Sequence, residues 1–118
     1  MNFQRTYLGQ LCGGCATLLV LLGASGCAQS GPGDLTGSTC PSDSELSYAN
    51  FGEAFMRKHC ARCHEDFSTQ EGVQASIDEI DRAAAAGPDT VNTYMPEGED
   101  LSDNQREELG EWLACGAP

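Results

Sequence analysis

Residues 60–64 of the chain are Cys60-Ala61-Arg62-Cys63-His64. Two cysteines separated by two residues and followed at once by a histidine are the pattern that attaches a c-type haem. Each thiol adds across one vinyl group of the porphyrin, so the two sulfurs must lie about one helical turn apart. The histidine then falls beneath the ring, where its imidazole ligates the iron. The pattern predicts one covalent haem c, held by Cys60 and Cys63, with His64 as the proximal iron ligand.

A second iron ligand is predicted in the segment Asn92-Thr93-Tyr94-Met95-Pro96-Glu97-Gly98. A methionine inside a helix usually fills core space, but Met95 precedes a proline, which cannot continue a helix. Its thioether is a soft ligand that suits haem iron opposite a histidine. Met56 and His59 precede the attachment motif and are weaker candidates, and His59 is interpreted as an ordinary polar residue. Met95 is therefore the predicted distal ligand.

Three helices and no strand are predicted around these residues. Ser47 is a candidate N-cap for a helix over residues 48–59, whose apolar face is formed by Tyr48, Phe51 and Phe55. Ser68-Thr69-Gln70-Glu71 has the form of a capping box. It opens a second helix, which Gly87-Pro88 ends and whose apolar residues are Val73, Ile77, Ile80 and Ala84. The last helix is predicted to begin at a second capping box, Ser102-Asp103-Asn104-Gln105. Its residues Leu109, Trp112 and Leu113 are expected to face the core.

The composition describes a small acidic protein. Its 118 residues include 18 Asp and Glu against 6 Lys and Arg, a net charge of −12. Only Arg5 precedes Cys27, so the part after Cys27 carries 18 acidic and 5 basic residues, or −13. This charge argues against nucleic acid as a partner and predicts a redox partner with a basic docking face. Four Phe, three Tyr and one Trp are few for a core, which a buried macrocycle would complete.

Residues 1–26 are predicted to be a lipoprotein-type signal peptide. Arg5 precedes the apolar run Leu18-Leu19-Val20-Leu21-Leu22, which is shorter than the roughly 20 residues that a membrane helix needs. Gly23-Ala24-Ser25-Gly26 before Cys27 resembles the lipobox of bacterial lipoproteins, although that motif usually has Leu where Ala24 stands. We therefore expect lipidation of Cys27, and membrane contact through this anchor alone. The alternatives are an ordinary signal peptide and an uncleaved anchor.

The leader also predicts an exported location on the periplasmic side of a bacterial membrane. Ala28 follows the lipidated position, where an Asp often retains such proteins at the inner membrane, so the outer membrane is the expected destination. Cys12-Gly13-Gly14-Cys15 resembles a redox motif but lies within the leader, and no function is assigned to it.

Residues 27–45 are rich in Gly, Ser, Pro and Thr, which predicts a flexible tether before a folded domain over residues 46–118. Of seven cysteines, two belong to the leader, one to the lipid and two to the haem. The remaining Cys40 and Cys115 are predicted to form a disulfide, closing a loop of 75 residues and contributing about 4 kcal/mol. The alternatives are two reduced thiols, or a bond from Cys40 to another chain.

Residues 46–115 resemble the class I cytochromes c. The resemblance depends on Gly52 and Phe55 before the haem motif, on Met95-Pro96, and on Leu109 and Trp112-Leu113 in the last helix. It implies a small all-α cytochrome c fold of three main helices around one covalent haem. It further implies that the first and last helices cross where Gly52 packs beside Trp112. The segment between His64 and Met95 is shorter than in larger family members.

The expected function is single-electron transfer by a monohaem carrier that is not an enzyme. A haem enzyme or sensor is the alternative from another class, and it needs an open distal iron position. A zinc site formed by Cys60, Cys63 and His64 lacks a fourth ligand, and a thioredoxin-like role lacks its βαβ framework. A non-catalytic haem subunit of a larger oxidoreductase is also compatible with the sequence.

Overall fold

A computed structural model describes residues 31–118, and every structural statement below refers to this range. Its four α-helices are α1 Glu53–His59, α2 Gln70–Gln74, α3 Ile77–Ala84 and α4 Asp103–Ala114. A π-helical turn, Tyr48–Gly52, leads into α1, and a 3-10 turn, Glu65–Ser68, precedes α2. Extended pairing in the described range is limited to one bridge between Ala86 and Val91. This part of the chain is therefore all-α, as predicted. None of its helices is both long enough and apolar enough to cross a membrane.

The first helical segment begins at the predicted N-cap. The hydroxyl of Ser47 accepts a hydrogen bond from the Asn50 backbone at 3.3 Å, and the Asn50 side chain accepts one from the Ser47 backbone at 2.8 Å. These reciprocal bonds satisfy two amide groups that a helix start leaves without partners. The segment then continues without a loop into α1, whose Phe55 and Met56 are buried. The cap thereby fixes the direction from which the chain enters the cysteine motif.

The second predicted helix is wrong as one continuous element, because the chain bends at Ser76, whose backbone (φ −129°, ψ 24°) is not helical. The Ser76 amide donates to the Val73 carbonyl at 2.9 Å, which tightens the last turn of α2. The N-cap is Thr69, whose hydroxyl accepts from Gly72, and not the predicted Ser68. Four α-helices therefore replace the expected three. Val73, Ile80 and Ala84 still reach one core, because the bend turns both short helices toward it.

The contact between the π-helical turn and α4, here called the helix crossing, is made by Gly52 and aromatic rings. A Cβ atom on Gly52 would overlap the Trp112 ring, so glycine is required for the approach. Phe51 meets Trp112 edge-on, with ring centroids 5.6 Å apart. Trp112 and Leu109 are both fully buried. At the start of α4, the predicted capping box is present between Ser102 and Gln105.

Residues 31–40, here called the strap, belong to the folded body, although the sequence predicts a flexible tether there. Thr36 is fully buried and donates to the Asp81 carboxylate from its backbone amide and from its hydroxyl, both at 2.7 Å. The Gly33 amide donates to the Arg82 carbonyl at 2.8 Å. Hydrogen bonds to a charged acceptor hold a segment that has no apolar periodicity. The tether prediction is therefore corrected for this part of the chain.

Cys40 and Cys115 form a disulfide, with their Cα atoms 4.7 Å apart. The bond connects the end of the strap to the residue that follows α4. Among residues 31–118 it leaves Cys60 and Cys63 as free thiols. The described segment before the first helix is thus attached to both α3 and α4.

Candidate functional site

The cysteine motif begins where α1 ends. The Cys60 and Ala61 amides donate to the Met56 carbonyl at 2.9 and 2.8 Å, and the His64 amide donates to the Cys60 carbonyl at 3.0 Å. These bonds wind the motif into tight turns, which bring both thiols to the same end of α1 as the imidazole. Cys60 is half-buried, whereas Cys63 and His64 are exposed.

One cavity of about 400 Å³ contains all four predicted haem-binding residues in its lining: Cys60, Cys63, His64 and Met95. Its volume lies within the range of roughly 300–1,000 Å³ that is usual for cofactor and ligand pockets. The apolar part of the lining includes four further residues: Phe67, Ile80, Ala83 and Ala84. The His64 ring stacks on the Phe67 ring, with centroids 5.1 Å apart. The site therefore combines two thiols, an imidazole and a thioether with an apolar wall.

Met95 is held in place by bonds at both of its backbone groups. Its amide donates to the Ala83 carbonyl at 2.8 Å, and its carbonyl accepts from the Arg106 guanidinium at 2.9 Å. The same guanidinium nitrogen donates to the Ala84 carbonyl at 2.8 Å and to the Asn92 carbonyl at 2.7 Å. Because these carbonyls belong to the end of α3 and to the following loop, Arg106 fixes the backbone that carries Met95.

Arg106 is not among the site residues predicted from the sequence. It is 3 % exposed, and burial lowers the pKa of its guanidinium, while the nearby Asp100 and Asp103 carboxylates act in the opposite direction. A signal was present in the sequence, because Arg106 precedes Leu109 and Leu113 by three and seven residues and so shares their buried helix face. A charged residue on an apolar helix face requires partners such as these carbonyls.

The contact between His59 and Glu99 is also absent from the predictions made from the sequence. The His59 side chain is only 4 % exposed, and its Nδ1 atom lies 2.9 Å from a Glu99 carboxylate oxygen. Both residues line the cavity. The sequence could have indicated His59, because it lies four residues after the buried Phe55 on the same face of α1. The interpretation of His59 as an ordinary polar residue does not account for this burial.

Charges of both signs line the cavity. Lys58 and Arg62 contribute positive charge, and three carboxylates contribute negative charge: Glu79, Glu97 and Glu99. Burial raises the pKa of the Cys60 thiol to about 11, and the Glu99 carboxylate acts in the same direction. At neutral pH the Cys60 thiol is therefore protonated. Between residues 31 and 118, no group of three or more His, Cys, Asp or Glu side chains could hold a metal ion by itself.

The remaining predicted positions divide into two sets. Cys40 and Cys115 lie away from the cavity, in the disulfide. The predicted lipidation site Cys27 and the leader cysteines Cys12 and Cys15 lie outside the described residues. The structure thus describes the predicted haem-binding residues and the disulfide, and the lipid anchor stays a prediction.

Comparison of the chain with protein-family models, curated proteins and solved structures finds no significant match. The resemblance to class I cytochromes c therefore depends on the quoted residues alone.

Proposed function

We propose that the chain is a monohaem c-type cytochrome that carries single electrons. In this proposal Cys60 and Cys63 would hold the haem covalently, and His64 and Met95 would ligate its iron. The observation that carries the proposal is that these four side chains, from two separate segments, line one cavity with an apolar wall. The helix crossing of Gly52 and Trp112 also agrees with the small cytochrome c fold that the resemblance implies.

The residues present fit a covalent haem. Addition of each thiol across a vinyl group forms one C–S bond and moves the thiol hydrogen to the neighbouring vinyl carbon, so the attachment needs no external oxidant. Both thiols are available, because the disulfide uses the other two described cysteines. When bound, the haem supplies one-electron chemistry at iron, and thioether ligation raises its reduction potential. Met95 and the apolar wall would keep water away from the iron.

The acidic surface defines the class of partner in this proposal. A net charge of −12 favours encounter with a protein that has a basic docking face, and added salt should slow that encounter. Export and attachment through a lipid on Cys27 are part of the same proposal, since they would bring the cytochrome to the periplasmic side of a membrane.

Haem staining after denaturing electrophoresis tests the proposal, because only covalently attached haem remains with the chain. We expect staining of the protein produced with haem-attachment machinery, and loss of staining in the Cys60→Ser/Cys63→Ser variant. A redox titration with spectra should then show one reversible one-electron transition. Met95→Ala should keep the stain but lose the long-wavelength ferric band that Met–iron ligation gives in the family. A wild-type protein without covalent haem would contradict the proposal.

A further inference from the structure

His59 is a buried polar side chain whose hydrogen-bonding capacity is incompletely used. Its ring packs on Phe55, with ring centroids 4.9 Å apart, and faces the cavity. Nδ1 lies 2.9 Å from Glu99 Oε1, but it is not aligned for a hydrogen bond with any partner. Buried polar atoms are normally paired, so an incompletely paired one next to a cavity requires an explanation.

Glu99 belongs to residues 96–100, the segment that leads from Met95 to α4. Before this segment, Met95 is fixed by Ala83 and Arg106, and after it Leu101 is buried. Among the described residues, the contact between Glu99 and His59 is the one side-chain polar contact that connects residues 96–100 to another part of the fold. This contact joins the segment after Met95 directly to the residue before Cys60.

We propose that His59 and Glu99 form a latch that holds residues 96–100 against the end of α1 and so limits how readily Met95 leaves the iron. The inference rests on the proposed function, because it concerns the same site. His59 and Glu99 are positioning residues in this proposal, since they act on Met95 through the backbone. The latch determines the rate at which the cavity opens to an outside ligand, while the haem-binding residues determine whether a haem is held.

The proposed role of the latch depends on how the chain is attached before and after Met95. On the side of α3, three carbonyls and one amide fix the backbone up to Met95. On the other side, Glu97 and Gly98 are exposed. Opening of the cavity therefore requires movement of residues 96–100, and the contact between Glu99 and His59 must break for that movement to occur.

The experiment measures how fast imidazole replaces methionine in the ferric holoprotein, followed by loss of the Met–iron absorption band. We expect Glu99→Gln to accelerate this exchange about fivefold, as loss of about 1 kcal/mol from one partly exposed polar contact implies. Glu97→Gln is the matched control, because it removes the same charge two residues away without breaking the latch. It should leave the exchange rate within about 1.5-fold of the wild type.

His59→Gln and the His59→Gln/Glu99→Gln double variant complete the test. If the two residues act as one unit, the double variant should exchange no faster than the faster single variant. Unfolding midpoints are measured in parallel, and Glu99→Gln should remain folded, with a midpoint lowered by no more than the loss of this one contact implies. Equal exchange rates in Glu99→Gln and Glu97→Gln, with the haem attached and the Met–iron band present, would overturn the latch and leave the proposed function intact. Absence of covalent haem from the wild type would overturn both.

Discussion

The helix crossing around Trp112 and the junction around Arg106 both use α4, but they are held by different forces. Trp112 is buried among Gly52 and the aromatic rings of the first helical segment. Arg106, six residues earlier in α4, is also buried but contacts backbone carbonyls of the loop that carries Met95. We call the second region the polar junction, with Asn92, Asp81 and Thr36 as its other buried members.

The two regions show that the stability of this small chain and the geometry of its candidate site depend on different kinds of contact. Apolar contacts have little directional preference, so the crossing can stabilise the helices without specifying a loop conformation. Hydrogen bonds require defined directions and distances. The polar junction can therefore fix one conformation of the loop that carries Met95, although each of its bonds contributes only modestly to stability.

The largest expected effect comes from the crossing. Trp112→Ala should lower the free energy of unfolding by about 3–5 kcal/mol, because it removes a buried indole and leaves a cavity beneath Gly52. Urea unfolding of the purified domain, followed by circular dichroism, measures this change. Val91→Ala is the control, since Val91 is 49 % exposed and its truncation should cost less than about 0.5 kcal/mol. A loss below about 1 kcal/mol for Trp112→Ala would mean that the crossing does not carry the stability.

An intermediate effect is expected at the polar junction. Arg106→Met keeps the apolar stem but leaves the Ala84, Asn92 and Met95 carbonyls without their donor, which should cost about 2–3 kcal/mol. In the holoprotein, the Met–iron band should weaken under conditions in which the helices remain folded. Arg57→Met provides the comparison, because its side chain is 70 % exposed on α1. An unchanged band in folded Arg106→Met would separate Arg106 from the geometry of Met95.

The smallest effect is expected for the strap. Thr36→Val removes the hydroxyl that donates to Asp81 but keeps the backbone bond and the side-chain volume, so we expect a loss of about 1–2 kcal/mol. Hydrogen exchange should accelerate at residues 33–38, while the exchange of α4 amides changes little. Thr39→Val is the matched control, since Thr39 is exposed and lies three residues after the buried Thr36. Equal stability of the two variants would mean that Asp81 does not anchor the strap.

Much of the crossing could be predicted from the sequence, whereas most of the polar junction could not. The capping residues Ser47 and Ser102 are local signals, because each bonds to its own helix. The break at Ser76 escaped prediction because Val73 and Ile77 keep the four-residue spacing of a continuous helix across it. The position of the strap could not be predicted, because its composition is that of a linker. One carboxylate far away in the sequence, that of Asp81, determines where the strap lies.

The residues of the candidate site also differ in whether the sequence could predict them. The spacing of Cys60, Cys63 and His64 matches the pattern that haem attachment requires, and Met95-Pro96 is recognisable as a loop methionine. That these residues line one cavity agrees with the sequence hypothesis, whereas their roles toward haem stay predictions until haem staining is done. His59 and Arg106 depend on contacts with residues 40 and 11 positions away, at Glu99 and Met95. No local pattern indicates such partners.

The docking of the strap also limits how far the protein can reach. Pro32 lines the cavity and lies only five residues after Cys27, a length of chain that spans at most about 18 Å. A free arm from Cys27 to Glu45 would span up to about 65 Å instead. If Cys27 carries the lipid, this edge of the cavity lies within about 18 Å of the lipidated residue. If the chain also carries electrons as proposed, exchange at this edge would then occur close to the membrane surface.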